Sequence, residues 1–512
     1  MGWQQSYDPL HGPLSTIVAA LPLAILLGLL AMRRVPAHFA ALAGLAAALI
    51  VAVGVIGMPG SMATEAALLG VAYGLLPIGW IVLNVMFMYR ITERRGVYVA
   101  LQRAITGITS DRRLQLLLIA FCFGAFFEGA AGFGTPVAVT GAMLIGLGFP
   151  PLEASALSLI ANTAPVAFGA LGTPVIALQG VTGLDLGALS AMIGRQLPFF
   201  SFIVPFWLIA AYVGFKKMWE VWPALFVAGI TFAVPQFLVS NYHGPWLVDI
   251  IASASSMICL GTFLRWQQKR KNVRYGHVVA ATDPSLAQYD KSAIPLRIAL
   301  APWVILTVIV FAWGTPQVKT MLNHISAPTI VISGLDKMVS RVAPVVPTPT
   351  AEPAVFLFNW LSASGTAILI TAIISGLLLR YSFRELIRDY VKTIVVVWRS
   401  LLTIAAMLGW LGVALTGSDT SSNVLFGSLQ HVTATRLGMD PVLLSAANSS
   451  GGVMGKMIDA QSICVASTAT GYVGQEWRIL RYVFWHSLLL GMFVGVLVLL
   501  QQYVFTWMIV AH

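Results

Sequence analysis

Five charged residues, Glu128, Asp419, Asp459, Arg195 and Lys456, stand inside stretches otherwise apolar enough to cross a bilayer. A charge at the bilayer centre costs at least ~2.5 kcal/mol, so each must face a partner, cavity water or a solute. A carboxylate at such depth is a candidate proton carrier, which makes Glu128 and Asp419 the expected proton-coupling residues. Lys456 and Arg195 can meet an anion. Amide and hydroxyl groups nearby could bond a carboxylate and an adjacent hydroxyl. The expected substrate contacts are therefore Gly129, Thr135, Asn162, Thr163, Arg195, Ser418, Ser421, Asn423, Asn448, Ser449 and Lys456. Plainer readings stand beside these. Glu128 could pair with Arg195, or Asp459 with Lys456; Asp459 could sit at a solvated helix end; each hydroxyl could back-bond to its own helix.

Something must hold these side chains at membrane depth, and the surrounding glycines and prolines indicate broken helices. FFEGAAGFGTPVAV at 126–139 carries Glu128 among three glycines and a proline. Irregular backbone inside a membrane survives only where it is buried in protein or lines a wet cavity. Broken half-helices also supply oriented dipoles, with N-terminal N–H groups toward an anion and C-terminal carbonyls toward a cation. Close helix packing through small-xxx-small spacing is the alternative use of the same glycines.

The interruptions gather in 124–198 and 416–462. LIANTAPVAFGALGTPVIA (159–177) and SAANSSGGVMGKMIDAQSI (445–463) each open on Ala-Asn followed by a hydroxyl residue, with Gly169 and Gly455 seven residues after Asn162 and Asn448. EGAAGFGTP has a possible partner in TGSDTSSN. Such weak similarity is expected of two transporter halves, each contributing a discontinuous helix, although short small-residue strings also match by accident.

The whole chain agrees. Of 512 residues 58% are hydrophobic and 10% charged, where a soluble protein carries about a quarter charged. This is an all-α polytopic membrane protein of about twelve spans, eleven to fourteen counting broken segments, read as one membrane domain over 1–512. Apolar runs fall near 14–32, 39–57, 64–89, 190–214, 219–239, 246–264, 294–314, 354–379, 393–416, 441–472 and 480–508, with the interrupted 114–180 between them. Basic clusters at Arg33–Arg34, Arg90–Arg113, Lys216–Lys217, Arg265–Arg274 and Arg380–Lys392 mark cytoplasmic ends. The N-terminus and the Pro-rich 315–353 are then outside, and 266–293 is a cytoplasmic loop. The broken regions span 114–214 and 393–472.

The net charge of +11 follows that loop pattern and does not point to nucleic acid. Cys122, Cys259 and Cys464 lie in apolar runs with no metal or disulfide spacing. His431 and His486 show no ligand spacing, and no nucleotide-binding or nucleophile motif appears, so no cofactor or metal is expected and an ion gradient is the energy source. An anion channel or a membrane-embedded enzyme remains a less favoured class. These features alone describe an ion-coupled carrier for a small polar solute, an anion by preference.

At FCFGAFFEGAAGFGTPVAV, NTAPVAFGALGTP, GRQLPFF, LGWLGVALTGSDTSSNVLF and NSSGGVMGKMIDAQSI the chain resembles the L-lactate permease family, and WQQSYDP with the distal HVTATRLG–TWMIV region extends the likeness over nearly the whole length. The resemblance implies proton-linked uptake of L-lactate and related 2-hydroxycarboxylates, D-lactate and glycolate among them, by a multi-pass protein of the bacterial inner membrane. Sodium coupling through Asp419, Asn423 and backbone carbonyls is the near alternative. The chain departs from the family pattern between Lys392 and Leu408, where TIVVVWRSLLTIAAM forms one short run containing Arg399; the family is longer there.

Overall fold

The computed structural model describes residues 2–31, 35, 37–97, 108–130, 132, 134–271, 295–343, 348–396, 398 and 419–510. Apolar runs become helices because hydrocarbon offers no partner for a free backbone group. The first two expected runs are α1 (Pro13–Ala31) and α2 (Ala37–Gly54). The run at 64–89 is not one helix. It divides into α3 (Gly60–Tyr73) and α4 (Trp80–Arg94) around a π-helical stretch, Gly74–Gly79, in which Leu76 is extended at φ −132°, ψ 120°. Pro77 follows Leu76, and a residue before proline is biased away from helix.

The first broken region opens with α5 (Arg112–Leu116), which continues through a π-helical stretch (Leu117–Phe123) into α6 (Gly124–Ala130). Then come α7 (Thr135–Gly146), α8 (Pro151–Ala161), a 3-10 turn at Val166–Phe168, α9 (Gly169–Thr182) and the long α10 (Leu186–Val213). A short α11 (Phe215–Trp219) leads into α12 (Trp222–Tyr242) and α13 (Val248–Lys271), with α12 packed against both α10 and α13. After α14 (Leu296–Gly314) and α15 (Pro316–Ile325), α16 (Ser364–Leu378) packs on α4, with Trp80 Nε1 donating to Thr366 Oγ1 at 2.9 Å. The second broken region holds α17 (Asp419–Leu437), α18 (Pro441–Gly455), a 3-10 turn at Lys456–Ile458, α19 (Ala460–Ala469) and the long α20 (Glu476–Tyr503).

The protein is thus mainly helical, and several helices are strongly apolar. Among the described residues four are long and apolar enough to cross a membrane unaided, namely α10, α12, Val248–Gln267 and α20, and α8 with α9 makes a fifth candidate bent by 66°. Further apolar helical stretches accompany them at Pro13–Pro22, His38–Gly54, Pro136–Gly146, Arg297–Leu306 and Gly365–Leu378. The Pro-rich 315–353 segment holds more than loop. Within it β3 (Val339–Arg341) pairs with β4 (Thr350–Ala351), and β2 (Thr329–Val331) pairs antiparallel with β5 (Val355–Leu357) just beyond it. The N-terminal β1 (Trp3–Gln4) adds in parallel to β3, fixing the N-terminus and this segment on one side of the protein.

Element bounds recur. Pro151 and Pro441, Val166 and Lys456, Leu186 and Glu476, and Val213 and Tyr503 all stand 290 positions apart. Contacts recur with them: α8 touches α20 as α18 touches α10, and α19 touches α7 as α9 touches α17.

Candidate functional site

FFEGAAGFGTPVAV is broken as its composition predicts. α6 stops at Ala130, Gly132 and Gly134 take left-handed φ of 60° and 83°, and α7 restarts with Pro136 in its first turn. Two residues before the break, Glu128 is 3% exposed. Asn162 Nδ2 donates to Glu128 Oε2 at 3.0 Å. That asparagine ends α8, where the chain leaves the helix, and its own Oδ1 is buried without a partner. The carbonyl of Ala164, freed by the same break, accepts from Gln236 Nε2 at 3.2 Å. Gly169 presses on the carboxylate from the other side, and a Cβ there would overlap Glu128 Oε1.

Ala170, Leu171 and Gly172 then take positive φ of 46°, 56° and 76° before α9 becomes regular. At Gly172 a Cβ would also lie 2.6 Å from Pro245 Cβ and 2.7 Å from its carbonyl oxygen. Left-handed backbone costs an L-residue roughly 1–2 kcal/mol, and this clash adds to it. Gly172→Ala should therefore lower the thermal denaturation midpoint of the detergent-purified protein; an unchanged midpoint would show that this break relaxes freely.

The second region builds a matching group. Asp419 opens α17 at 5% exposure. Ser449 Oγ donates to Asp419 Oδ2 at 2.6 Å, Asn423 Nδ2 to Ser449 Oγ at 3.1 Å, and Asn448 Nδ2 to Asn423 Oδ1 at 2.9 Å. This chain of donors ends on the carboxylate. Asp419 Oδ1 has no partner and faces Gly452, where an added Cβ would overlap it. Asn423 Nδ2 also reaches the carbonyl of Pro174 in α9 at 3.1 Å, which ties the two regions together.

Lys456 lies at the second break, 7% exposed, with Nζ 3.9 Å from Asp459 Oδ2. Asp459 is the N-cap of α19, accepting from the backbone N–H of Gln461 at 3.0 Å and of Ser462 at 3.1 Å. The Lys456 charge acts on Glu128, Asp419 and Asp459, and that of Glu128 acts on Asp419. Carboxylates from both broken regions therefore lie in the field of one lysine.

Most expected site residues gather here: Glu128, Asn162, Asp419, Asn423, Asn448, Ser449 and Lys456. Thr163 is beside them, but its hydroxyl donates to Ile160 O at 2.7 Å within its own helix end. Thr135 starts α7 and Ser421 lies in the first turn of α17. Ser418 and, in the short run, Arg399 and the residues that follow it to Leu408 lie outside the described residues. Two residues stand elsewhere. Arg195 Nε donates to Asn241 Oδ1 at 3.0 Å and its Nη1 to Met508 O at 2.9 Å, so it joins α10 to α12 and the C-terminal turn and is not Glu128's ion-pair partner. Gly129 faces α13, where a Cβ would lie 2.7 Å from Asp249 Cβ.

Sequence reasoning missed Asp249. It is 1% exposed on the first turn of α13, with neither carboxylate oxygen partnered. An acid within the apolar 246–264 run was the available signal.

The family model described as L-lactate permease matches residues 15–408 and 403–505, two blocks that meet in the region already noted as short. The chain is similar to "L-lactate permease" of Bacillus subtilis (strain 168), 42% identical over 562 residues covering 99% of this chain and 100% of that one. It is 42% identical over 548 residues to "L-lactate permease" of Escherichia coli (strain K12), covering 99% of each. To "Glycolate permease GlcA" of the same strain it is 43% identical over 559 residues, 99% of this chain and 100% of that one. These alignments are longer than the chain's 512 residues, so the relatives carry residues with no counterpart here. No solved structure matches. The apolar helices and these relatives make the protein an integral membrane transporter of bacterial type, not an enzyme. The chain belongs to the L-lactate permease family.

Proposed function

We propose that the protein carries L-lactate and related small 2-hydroxycarboxylates, D-lactate and glycolate included, across the inner membrane in symport with protons. The observation that carries this reading is that each broken region buries one carboxylate, Glu128 held by Asn162 and Asp419 by Ser449, and that Asn423 joins the two regions by reaching the Pro174 carbonyl. Lys456 balances the substrate carboxylate. The unpartnered Asn162 Oδ1 and the Asn448–Asn423–Ser449 chain read its hydroxyl. Glu128 or Asp419 takes the coupled proton, so that the bound substrate and proton cross together as a nearly neutral load.

Two inverted halves within about twelve spans would hold such a site at their interface. The 290-residue recurrence and the mirrored contacts support that arrangement. So does charge: α10 runs into Lys216 and Lys217, whereas α20 starts with Arg478 and Arg481. With basic ends in the cytoplasm, these 28-residue helices point in opposite directions. The β1–β3 pairing supports an N-terminus and a 315–353 segment that share the outer side. Sodium is the second reading, supported by Asp419 Oδ1, which has no partner, and by Asn423, which reaches the Pro174 carbonyl.

Counterflow tests the substrate class. Proteoliposomes loaded with unlabelled L-lactate, D-lactate or glycolate should take up labelled L-lactate at symmetric pH. Propionate, lacking the hydroxyl, should compete at least ~10-fold less well, because buried polar groups left unmade cost about 1–3 kcal/mol. Equal competition by propionate contradicts a hydroxyl-reading site.

A further inference from the structure

Asp249 is a buried acid that no step above uses. It sits on the first turn of α13, and α6 reaches it only because residue 129 is glycine: a Cβ there would lie 2.7 Å from Asp249 Cβ and 3.2 Å from the Ile250 nitrogen. Glu128, the residue before Gly129, places its charge within reach of Asp249. Among the described residues, the elements packed on α13 are α12, α9, α6 and the π-helical stretch before it. Their titratable groups are Tyr242, which is exposed, Cys122, which lies 3.4 Å from Ser256 Oγ, and Glu128. No cation of these elements faces Asp249, and both its oxygens are buried without a hydrogen bond.

A lone anion is not held in such a place, because an ionised carboxylate removed from water needs a donor or a cation. Two buried acids that repel each other bind protons as a unit, and one proton on either of them removes that repulsion. We propose that Glu128 and Asp249 form one proton-binding carboxylate pair, which makes Asp249 a proton-coupling residue of the transporter. The inference rests on the reading of Glu128 as the proton site. On loading, a proton taken from water on one side of the membrane forms an O–H bond on one carboxyl of the pair, so that the other no longer faces a second anion. On release that O–H bond breaks and the proton passes to water on the other side of the membrane. The free N–H groups in the first turn of α13 favour the negative charge left behind. Lys456, acting on Glu128 but outside this contact, then ties the charge of the pair to that of the substrate.

The test uses full-length protein in proteoliposomes without sodium: wild type, Glu128→Gln and Asp249→Asn. It reads L-lactate accumulation under an inward proton gradient, counterflow at symmetric pH, and the pH profile of counterflow. The pair predicts that Asp249→Asn accumulates at least ~10-fold less lactate than wild type, a loss of about one pH unit of driving force. Counterflow should persist with a shifted pH profile. Accumulation equal to wild type, or a parallel fall in accumulation and counterflow, overturns the pair. If Asp249→Asn does not purify as a monodisperse protein, Asp249→Glu decides: retained coupling with a displaced pH profile supports the pair, and an unchanged profile overturns it. A wild type that couples while Asp249→Asn also couples defeats the pair alone. A wild type that shows no proton-driven uptake defeats the symport reading and the pair together.

Discussion

Glu128→Gln should reduce proton-driven lactate accumulation to simple equilibration while leaving counterflow close to wild type. For one-to-one symport each pH unit of gradient is worth about 1.4 kcal/mol, so two units support about 100-fold accumulation in the wild type. The glutamine keeps an oxygen for the Asn162 amide and nearly the same volume against Gly169, the two local constraints on this side chain. It cannot ionise. What it removes is the proton site, not the packing against Asn162 and Gly169, so exchange of internal for external lactate, which needs no net proton movement, survives. A variant that accumulates lactate as the wild type does removes Glu128 from the mechanism. A parallel loss of counterflow would instead make it a binding or structural residue.

Lys456→Met should raise the apparent KM for lactate by at least ~100-fold or abolish uptake. Lys456 is nearly buried, and its charge acts on Glu128, Asp419 and Asp459. Removing one partner of a buried charge set costs about 3–5 kcal/mol, because the remaining charges lose their compensation. Here the loss falls twice, on the empty site and on the bound carboxylate. Lys456→Arg keeps the charge but brings a larger planar group into a crowded turn, and should retain a fraction of the affinity. A methionine variant that is monodisperse and binds lactate with a KM near wild type would show that the anion is held by backbone dipoles alone.

The features that position the site were partly legible in the residues. Gly, Pro and a carboxylate cannot all sit in one lipid-facing helix, and the chain does break between Ala130 and Thr135. The second break was visible from GGVMGKMID, because glycines and a charge pair mark an end, and Asp459 uses the freed N–H groups of α19. The pairing of the two regions was harder to place. Matching Asn162 with Asn448 gives an offset four residues short of the 290 that separates the elements. Four residues are about one helical turn, so the small-residue strings keep the face and miss the position. On the element register Asn162 corresponds to Gly452, the glycine that faces Asp419.

Tertiary partners were beyond reach. Arg195 looked like a site cation because GRQLPFF is apolar around it, yet Asn241 and the Met508 carbonyl, remote in sequence, satisfy it. Asp249 has the opposite history: one acid near the end of an apolar run looks interfacial until Gly129 brings α6 against it. Thr163 and Thr173 back-bond to Ile160 and Ala170, the ordinary fate of a hydroxyl at a helix break.

The most direct test of the central claim is uptake of labelled L-lactate into proteoliposomes of the purified protein, with an inward proton gradient and no sodium. The account predicts accumulation above equilibrium that collapses when a protonophore is added. Uptake that ignores the proton gradient and follows sodium, or no uptake by protein that is folded and monodisperse, would contradict it.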